Sequence, residues 1–101
     1  MLDKADGQQI FTGSVRLVHA VGMHARPAVK LTKLAKKFQA QISVRVAGAA
    51  EWINAKSVAK IMAMRAAHGS TIEINASGSD AEAAVAALVD LIATDFPDGA
   101  S

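Results

Sequence analysis

Hydrophobic residues recur along this chain with two different periods, and the order of those periods is the strongest constraint on its fold. Apolar and polar residues alternate from Phe11 to Leu17, which predicts a half-buried strand. From Ala25 to Phe38 the apolar residues instead recur every three or four positions, which predicts an amphipathic helix. The fold must therefore combine strands and helices around a shared core.

The same two periods return further along the chain. Alternation over residues 42–46 and 72–76 predicts two more strands, and residues 51–54 predict a short return strand after a turn. Helical spacing over residues 58–64 predicts a short helix that is closed by Gly69.

The last predicted helix starts at a capping-box sequence, Ser79-Asp80-Ala81-Glu82, and ends before Pro97. Its apolar residues predict an inner face formed by Val85, Leu88, Val89 and Ile92. The full order is strand–helix–strand–strand–helix–strand–helix. With the strands in one sheet, all three helices can cover one face and leave the other in water, which is an α+β architecture.

Length and composition fit one small domain. The chain has 101 residues, of which we assign 10–97 to the domain, 1–9 to a flexible N-terminal lead and 98–101 to a tail. The absence of cysteine excludes disulfides and thiolate metal sites. The sequence shows no secretory signal and no apolar run of roughly 20 residues, so we expect a cytoplasmic protein without membrane insertion.

The segment Gly22-Met23-His24-Ala25-Arg26-Pro27-Ala28 carries the most chemistry. Proline is tolerated in a helix only in the first turn, so Pro27 places the helix start at about Ala25. This puts His24 at the cap position and Arg26 in the first turn. A phosphate there would meet unpaired N–H groups, the positive helix end and a guanidinium. On spacing alone, an ordinary polar loop residue is an equally good interpretation of His24.

This segment resembles the active-site sequence of the HPr family, the histidine-containing phosphocarriers of the bacterial phosphotransferase system. The resemblance extends over residues 11 to about 96 and includes Asn54-Ala55-Lys56-Ser57 and Ala76-Ser77-Gly78. It implies an open-faced β-sandwich in which three helices cover one face of a four-stranded antiparallel sheet. We also expect a monomer that uses no cofactor.

The resemblance further implies what His24 does. It would be phosphorylated on Nδ1 by phosphorylated enzyme I and would pass the phosphoryl group to an enzyme IIA-type acceptor, while Arg26 helps to hold the phosphate. Such a carrier is an intermediate in a series of phosphoryl transfers between proteins and not a self-contained enzyme. The branch stays open, because sugar uptake, a nitrogen-related (NPr-like) regulatory branch and a domain linked to a dihydroxyacetone kinase all fit the sequence.

Ser57 has two compatible interpretations. Its position before the second predicted helix is typical of an N-cap. In part of the HPr family the matching serine is modified by a bifunctional HPr kinase/phosphorylase, which makes Ser57 a candidate regulatory phosphorylation site.

The resemblance also implies a docking surface for partner proteins. Its apolar part would be Val58, Ala59 and Met62, although Ala59 is smaller than the apolar residue usual at its position. A ring of basic residues around the His24 end would attract acidic partners. Its members are Lys33, Lys36, Lys37, Lys60 and Arg65. Near the motif, Val21 replaces the small polar residue often found there, with unclear consequence.

Other classes of function fit less well. A ferredoxin-like ligand-binding module has a similar element order but gives no reason for His24, Arg26 and Pro27 together. A nucleic-acid module should carry stacking aromatic residues, whereas this chain has only three Phe, one Trp and no Tyr. No nucleophile–base set indicates a self-contained enzyme. We interpret His19 and His68 as surface residues without a chemical role, and we expect no metal site.

Overall fold

The computed structural model describes residues 9–97, which contain four strands and three helices. In chain order they are β1 (Ile10–Arg16), α1 (Ala25–Ala35), β2 (Gln41–Val46), β3 (Ile53–Asn54), α2 (Val58–Ala63), β4 (Thr71–Ser77) and α3 (Ala81–Ala93). This is the predicted order, and the ends of the strands differ from the predicted ones by one or two residues. Of the predicted lead and tail, only Gln9 lies within the described residues.

The four strands form one antiparallel sheet in the order β1-β4-β2-β3. β4 lies inside the sheet and pairs with the whole of β1, from Arg16 opposite Thr71 to Ile10 opposite Ser77. Residues of β4 are alternately buried and more exposed. One face of the sheet therefore carries the helices and the core while the other faces solvent, which confirms the α+β open-faced sandwich.

Aliphatic side chains from the helices and the sheet form the core. α3 lies directly against β1, where a β-carbon on Gly13 would come within 2.8 Å of Val85 and 3.1 Å of Val89. The absence of a side chain at Gly13 thus permits the close approach of the helix. The largest fully buried side chains include those of Leu17, Leu31, Val44, Ile61, Ile72, Ile74, Leu88 and Ile92.

Two predicted helix ends are wrong. α2 ends at Ala63 and is not closed by Gly69. Instead Arg65 adopts the left-handed conformation (φ 52°) shortly after the helix. α1 ends at Ala35, whereas its apolar pattern continues to Phe38. The pattern extends past the helix because the Phe38 side chain packs against the core from the turn that follows.

The predicted capping box at the start of α3 is also wrong. Asp80 is the N-cap in place of Ser79, and its carboxylate does not cap the helix. The carboxylate accepts hydrogen bonds from the backbone N–H groups of Gln39 (2.9 Å) and Ala40 (2.8 Å), in the turn between α1 and β2. The bond from Gln39, supported by the bond from Ala40, lowers the pKa of Asp80 below its ordinary value of 3.8 against an opposing effect of desolvation. Asp80 therefore ties α3 to that turn.

Candidate functional site

The loop before α1 is held in place by the segment that follows α2. Gly22 adopts a left-handed conformation (φ 79°), and a β-carbon there would lie 2.6 Å from the carbonyl oxygen of Ala66. The buried Met23 donates its N–H to the same carbonyl at 2.9 Å. Because only glycine fits this close approach, Gly22 and Met23 together fix the position at which His24 begins α1.

His24 is the N-cap of α1, as the sequence predicts. Its backbone is extended (φ −106°), and its carbonyl accepts a helical hydrogen bond from the N–H of Ala28 at 3.0 Å. Pro27 is buried in the first turn, where its missing N–H breaks no helical bond. The His24 side chain makes no capping bond, so its imidazole is available for other contacts at the positive end of an 11-residue helix.

The His24 ring pairs with a second histidine. His24 Nε2 lies 3.0 Å from His19 Nε2, and the ring centroids are 5.0 Å apart. On the other side of its ring, His19 Nδ1 lies 2.8 Å from Asp95 Oδ1. His19 thus lies at the surface with its side chain 24% exposed, but the structure adds a contact with His24 that the sequence does not predict. His68 is exposed, as expected, and its Nδ1 lies 3.2 Å from the backbone carbonyl of His19.

The chain beyond α3 completes this arrangement. Asp95 and Phe96 both adopt left-handed conformations (φ 61° and 52°), which turn the chain back after the helix. The N–H of Phe96 donates to the carbonyl of Leu91 at 2.9 Å, and the Lys30 ammonium donates to the carbonyl of Phe96, also at 2.9 Å. The buried Phe96 ring packs edge-on against His19, with centroids 6.0 Å apart. No sequence pattern links Asp95 to His19, which lies 76 positions away.

Arg26 lies in the first turn of α1 with its side chain exposed. It lines a surface cleft of about 270 Å³ at this end of the molecule. The lining residues are His19, Arg26, Pro27, Asp95, Phe96 and Pro97. The structure thus brings Arg26 and the histidine partner of His24 to one cleft, where a guanidinium can bind phosphate oxygens through two hydrogen bonds.

Ser57 caps α2, as the sequence predicts. Its hydroxyl oxygen accepts a hydrogen bond from the N–H of Lys60 at 3.3 Å. Among the predicted docking residues of α2, Val58 is half-buried, Met62 is 40% exposed, and Ala59 and Lys60 are exposed. α2 therefore presents a small apolar surface beside its cap.

Two members of the predicted basic ring, Lys33 and Lys36, do not lie at the His24 end of the molecule. Lys33 lies in the last turn of α1 and Lys36 is its C-cap, at the opposite end of the helix from His24. A rise of 1.5 Å per residue places them roughly 15 Å away along the axis. The exposed positions 26, 29, 33 and 36 instead form a stripe along α1 that begins at Arg26 and ends in lysines.

Residues 9–97 contain neither a metal-binding cluster nor a membrane-spanning helix. Within this range, no group of three or more His, Asp or Glu side chains is placed to hold a metal ion. None of the helices between residues 9 and 97 is long and apolar enough to cross a membrane.

Known proteins resemble this chain over most of its length. Residues 11–94 match the family model described as the PTS HPr component phosphorylation site. The chain is 36% identical over 83 residues to the phosphocarrier protein HPr of Cupriavidus necator and, to the same extent, to the phosphocarrier protein NPr of Escherichia coli K12. Each match covers 82% of this chain and 91% of the relative. The multiphosphoryl transfer protein of Vibrio cholerae is 38% identical over 84 residues, which are 82% of this chain but only 21% of that longer protein.

Solved structures share the fold. The crystal structure of HPr-C-His from Thermoanaerobacter tengcongensis has a TM-score of 0.79 and 36% identity, over 85% of this chain and 94% of that one. Sequence, fold and the histidine at the helix start thus agree, and the chain belongs to the HPr family of phosphotransferase-system phosphocarriers.

Proposed function

We propose that the chain accepts a phosphoryl group from phosphorylated enzyme I on Nδ1 of His24 and passes it to an enzyme IIA-type acceptor, as a monomer in the cytoplasm. The observation that carries the proposal is the contact between the two histidines, because it occupies Nε2 of His24. Nδ1 is then the ring nitrogen left for phosphoryl transfer, at the positive end of α1.

The transfer step is an exchange of one bond to phosphorus for another. The lone pair of His24 Nδ1 attacks phosphorus, and the N–P bond forms as the bond from phosphorus to the donor atom breaks. The electron pair of the broken bond stays on the donor atom. N–H groups in the first turn of α1 and the Arg26 guanidinium stabilise the phosphoryl oxygens, since both present positive charge at the helix start. The same step in reverse loads the acceptor protein.

Partner docking would use the surface of α2 together with the exposed stripe of α1. We assign Val58, Ala59 and Met62 to the apolar part, and Lys33, Lys36 and Lys60 to the basic part. The support is their exposure, since Met62 is 40% exposed beside the half-buried Val58.

Ser57 would be the regulatory site, modified by an HPr kinase/phosphorylase where that enzyme is present. It lies next to the proposed docking residue Val58, at the start of α2. A phosphate there adds roughly −1.5 to −2 charges and would repel an acidic partner.

The branch of the phosphotransferase system is a separate question. HPr and NPr relatives match this chain equally well. A sugar-linked carrier and a regulatory phosphoprotein of a nitrogen-related or dihydroxyacetone-kinase branch therefore both fit, and relative rates of phosphorylation by enzyme I paralogues would distinguish them. Membership of the HPr family removes the reason for a ferredoxin-like binding module.

Incubation with phosphoenolpyruvate and purified enzyme I tests the carrier function. We expect the chain to take up a single phosphate that is labile in acid and stable in base, as a nitrogen-linked phosphate is. Mass spectrometry of the peptides should locate it on His24. Phosphate on His19 or His68, or no uptake at all, would contradict the proposal.

A further inference from the structure

Three side chains at the site form a continuous hydrogen-bonded series from Asp95 through His19 to His24. Asp95 Oδ1 lies 2.8 Å from His19 Nδ1, and His19 Nε2 lies 3.0 Å from His24 Nε2. Both distances are typical of hydrogen bonds. Neither His19 nor Asp95 belongs to the sequence motif around His24, so the series is a feature of the folded chain.

The chemistry of the three groups determines the direction of these bonds. An ionised carboxylate can only accept, so His19 must carry its proton on Nδ1 to donate to Asp95. With His19 neutral, its Nε2 is then an acceptor. The short contact between the two Nε2 atoms therefore requires that His24 donates from Nε2–H. A neutral His24 with its proton on Nε2 has its lone pair on Nδ1.

We propose that Asp95 and His19 are positioning residues that hold His24 in the Nε2–H tautomer and stabilise the positive charge that its ring gains as Nδ1 bonds to phosphorus. The inference rests on the proposed function of His24. During transfer the Nε2 proton stays on His24, and only the bonds to phosphorus change. The Nε2–H group becomes a stronger donor as the ring becomes cationic, and it donates to an acceptor that is backed by a carboxylate. In Ser-His-Asp hydrolases a carboxylate holds a catalytic imidazole in its tautomer in the same way.

The surroundings of His19 suit this role. The Phe96 ring packs against His19 in a T-shaped pair, with centroids 6.0 Å apart, and the His19 side chain is 24% exposed. Partial burial strengthens a hydrogen bond relative to one in water. The bond from Lys30 to the carbonyl of Phe96 and the bond from Phe96 to Leu91 hold the segment that carries Asp95.

The first test reads the tautomers directly from ring-nitrogen NMR shifts of the unphosphorylated chain, at a pH well above the ordinary titration range of histidine. We expect His24 as the Nε2–H tautomer and His19 as the Nδ1–H tautomer. Asp95→Gly should release the His19 preference without straining the backbone, because residue 95 has a φ of 61°. A wild-type His19 with its proton on Nε2 would overturn the proposal.

The second test measures transfer from phosphoramidate, a small phosphoryl donor with no docking surface. We expect His19→Ala to slow phosphorylation of His24 about three- to tenfold, the range of one neutral hydrogen bond. His19→Gln should recover most of the rate, because its amide oxygen can accept from His24. Asp95→Gly should slow the wild-type chain but have little further effect on the His19→Ala chain, in which no side chain connects residue 95 to His24. The matched control is His68→Ala, which removes an exposed histidine whose ring hydrogen-bonds to the backbone carbonyl of His19 and not to its side chain.

The outcomes separate the two proposals. A wild-type rate in His19→Ala, or a loss seen with enzyme I but not with phosphoramidate, would overturn the positioning role and leave the carrier function standing. Absence of phosphate on His24 in the wild-type chain would overturn the carrier function itself.

Discussion

The N-caps of α1 and α2 solve the same structural problem in different ways. Ser57 uses its hydroxyl to accept a hydrogen bond from Lys60 in the first turn of α2, a six-residue helix. His24 makes no capping bond on α1, an 11-residue helix, and its ring binds His19 instead. A short helix depends more on its cap, because each unpaired N–H group is a larger share of its bonding.

The difference shows which of the two cap side chains is available for contacts outside its own helix. The Ser57 side chain stabilises its own helix, α2, through a capping bond. The start of α1 is stabilised without a capping bond from the His24 side chain. Gly22 and Met23 fix the loop against Ala66, and Pro27 supplies a first-turn residue that needs no hydrogen-bond acceptor. The imidazole of His24 is thus available for the phosphoryl transfer that we propose.

The largest effect expected from this comparison is that of His24→Ala. Phosphate uptake should be abolished, while the free energy of unfolding should fall by only about 1 kcal/mol, because the bond to His19 is lost but no capping bond is. Phosphate incorporation and thermal melting measure the two quantities. His68→Ala is the control and should keep normal uptake. Phosphorylation of the His24→Ala chain on His19 would refute the assignment of His24.

The next effect is that of Arg26→Ala. Charge-assisted hydrogen bonds contribute roughly 1.5–3 kcal/mol, so transfer should slow by about ten- to a hundredfold. Arg26→Lys keeps the charge but loses the planar fork, and it should recover only part of the rate. Rates of loading from enzyme I and of unloading to an acceptor provide the measurement. Wild-type rates in both directions would show that Arg26 does not hold the phosphate.

The sequence predicts the fold well because periodicity and helix caps are local signals. The element order, the start of α1 at Ala25 and the cap at Ser57 are all correct. Long-range contacts leave no such signal. The pairing of His19 with Asp95 depends on two left-handed residues after α3, and no pattern in the chain predicts that turn.

The same limit explains the errors. The sequence Ser79-Asp80-Ala81-Glu82 matches a capping box, but the helix starts one residue later. The Asp80 carboxylate accepts from the N–H groups of Gln39 and Ala40 in the turn before β2 and not from its own helix. Lys33 and Lys36 belong to one exposed face of α1, yet that face extends away from His24 along the helix axis.

Two substitutions at Ser57 separate capping from docking. Ser57→Ala removes the hydroxyl that accepts from Lys60, and it should lower the free energy of unfolding by about 1 kcal/mol. Ser57→Asp keeps a capping oxygen and adds charge at a helix start that tolerates it. It should therefore raise KM for enzyme I more than it changes Tm. A large fall in Tm of the Ser57→Asp chain with an unchanged KM would place Ser57 outside the docking surface.

The smallest effect concerns the third N-cap, Asp80, which like His24 makes no capping bond and uses its side chain elsewhere. Its bonds from Gln39 and Ala40 hold the pKa of the folded state below 3.8, so the carboxylate stabilises the fold above that pH. Asp80→Asn keeps one acceptor and loses the charge, and it should destabilise the fold at neutral pH. The difference in stability from wild type should shrink as the pH falls below 3.8 through the lowered pKa, where Asp80 itself becomes protonated.

Urea unfolding across that pH range measures the difference in stability. Glu82→Gln, which neutralises an exposed first-turn carboxylate, is the control for charge alone. A difference that stays constant with pH would mean that Asp80 acts through the shape of its side chain and not through its charge.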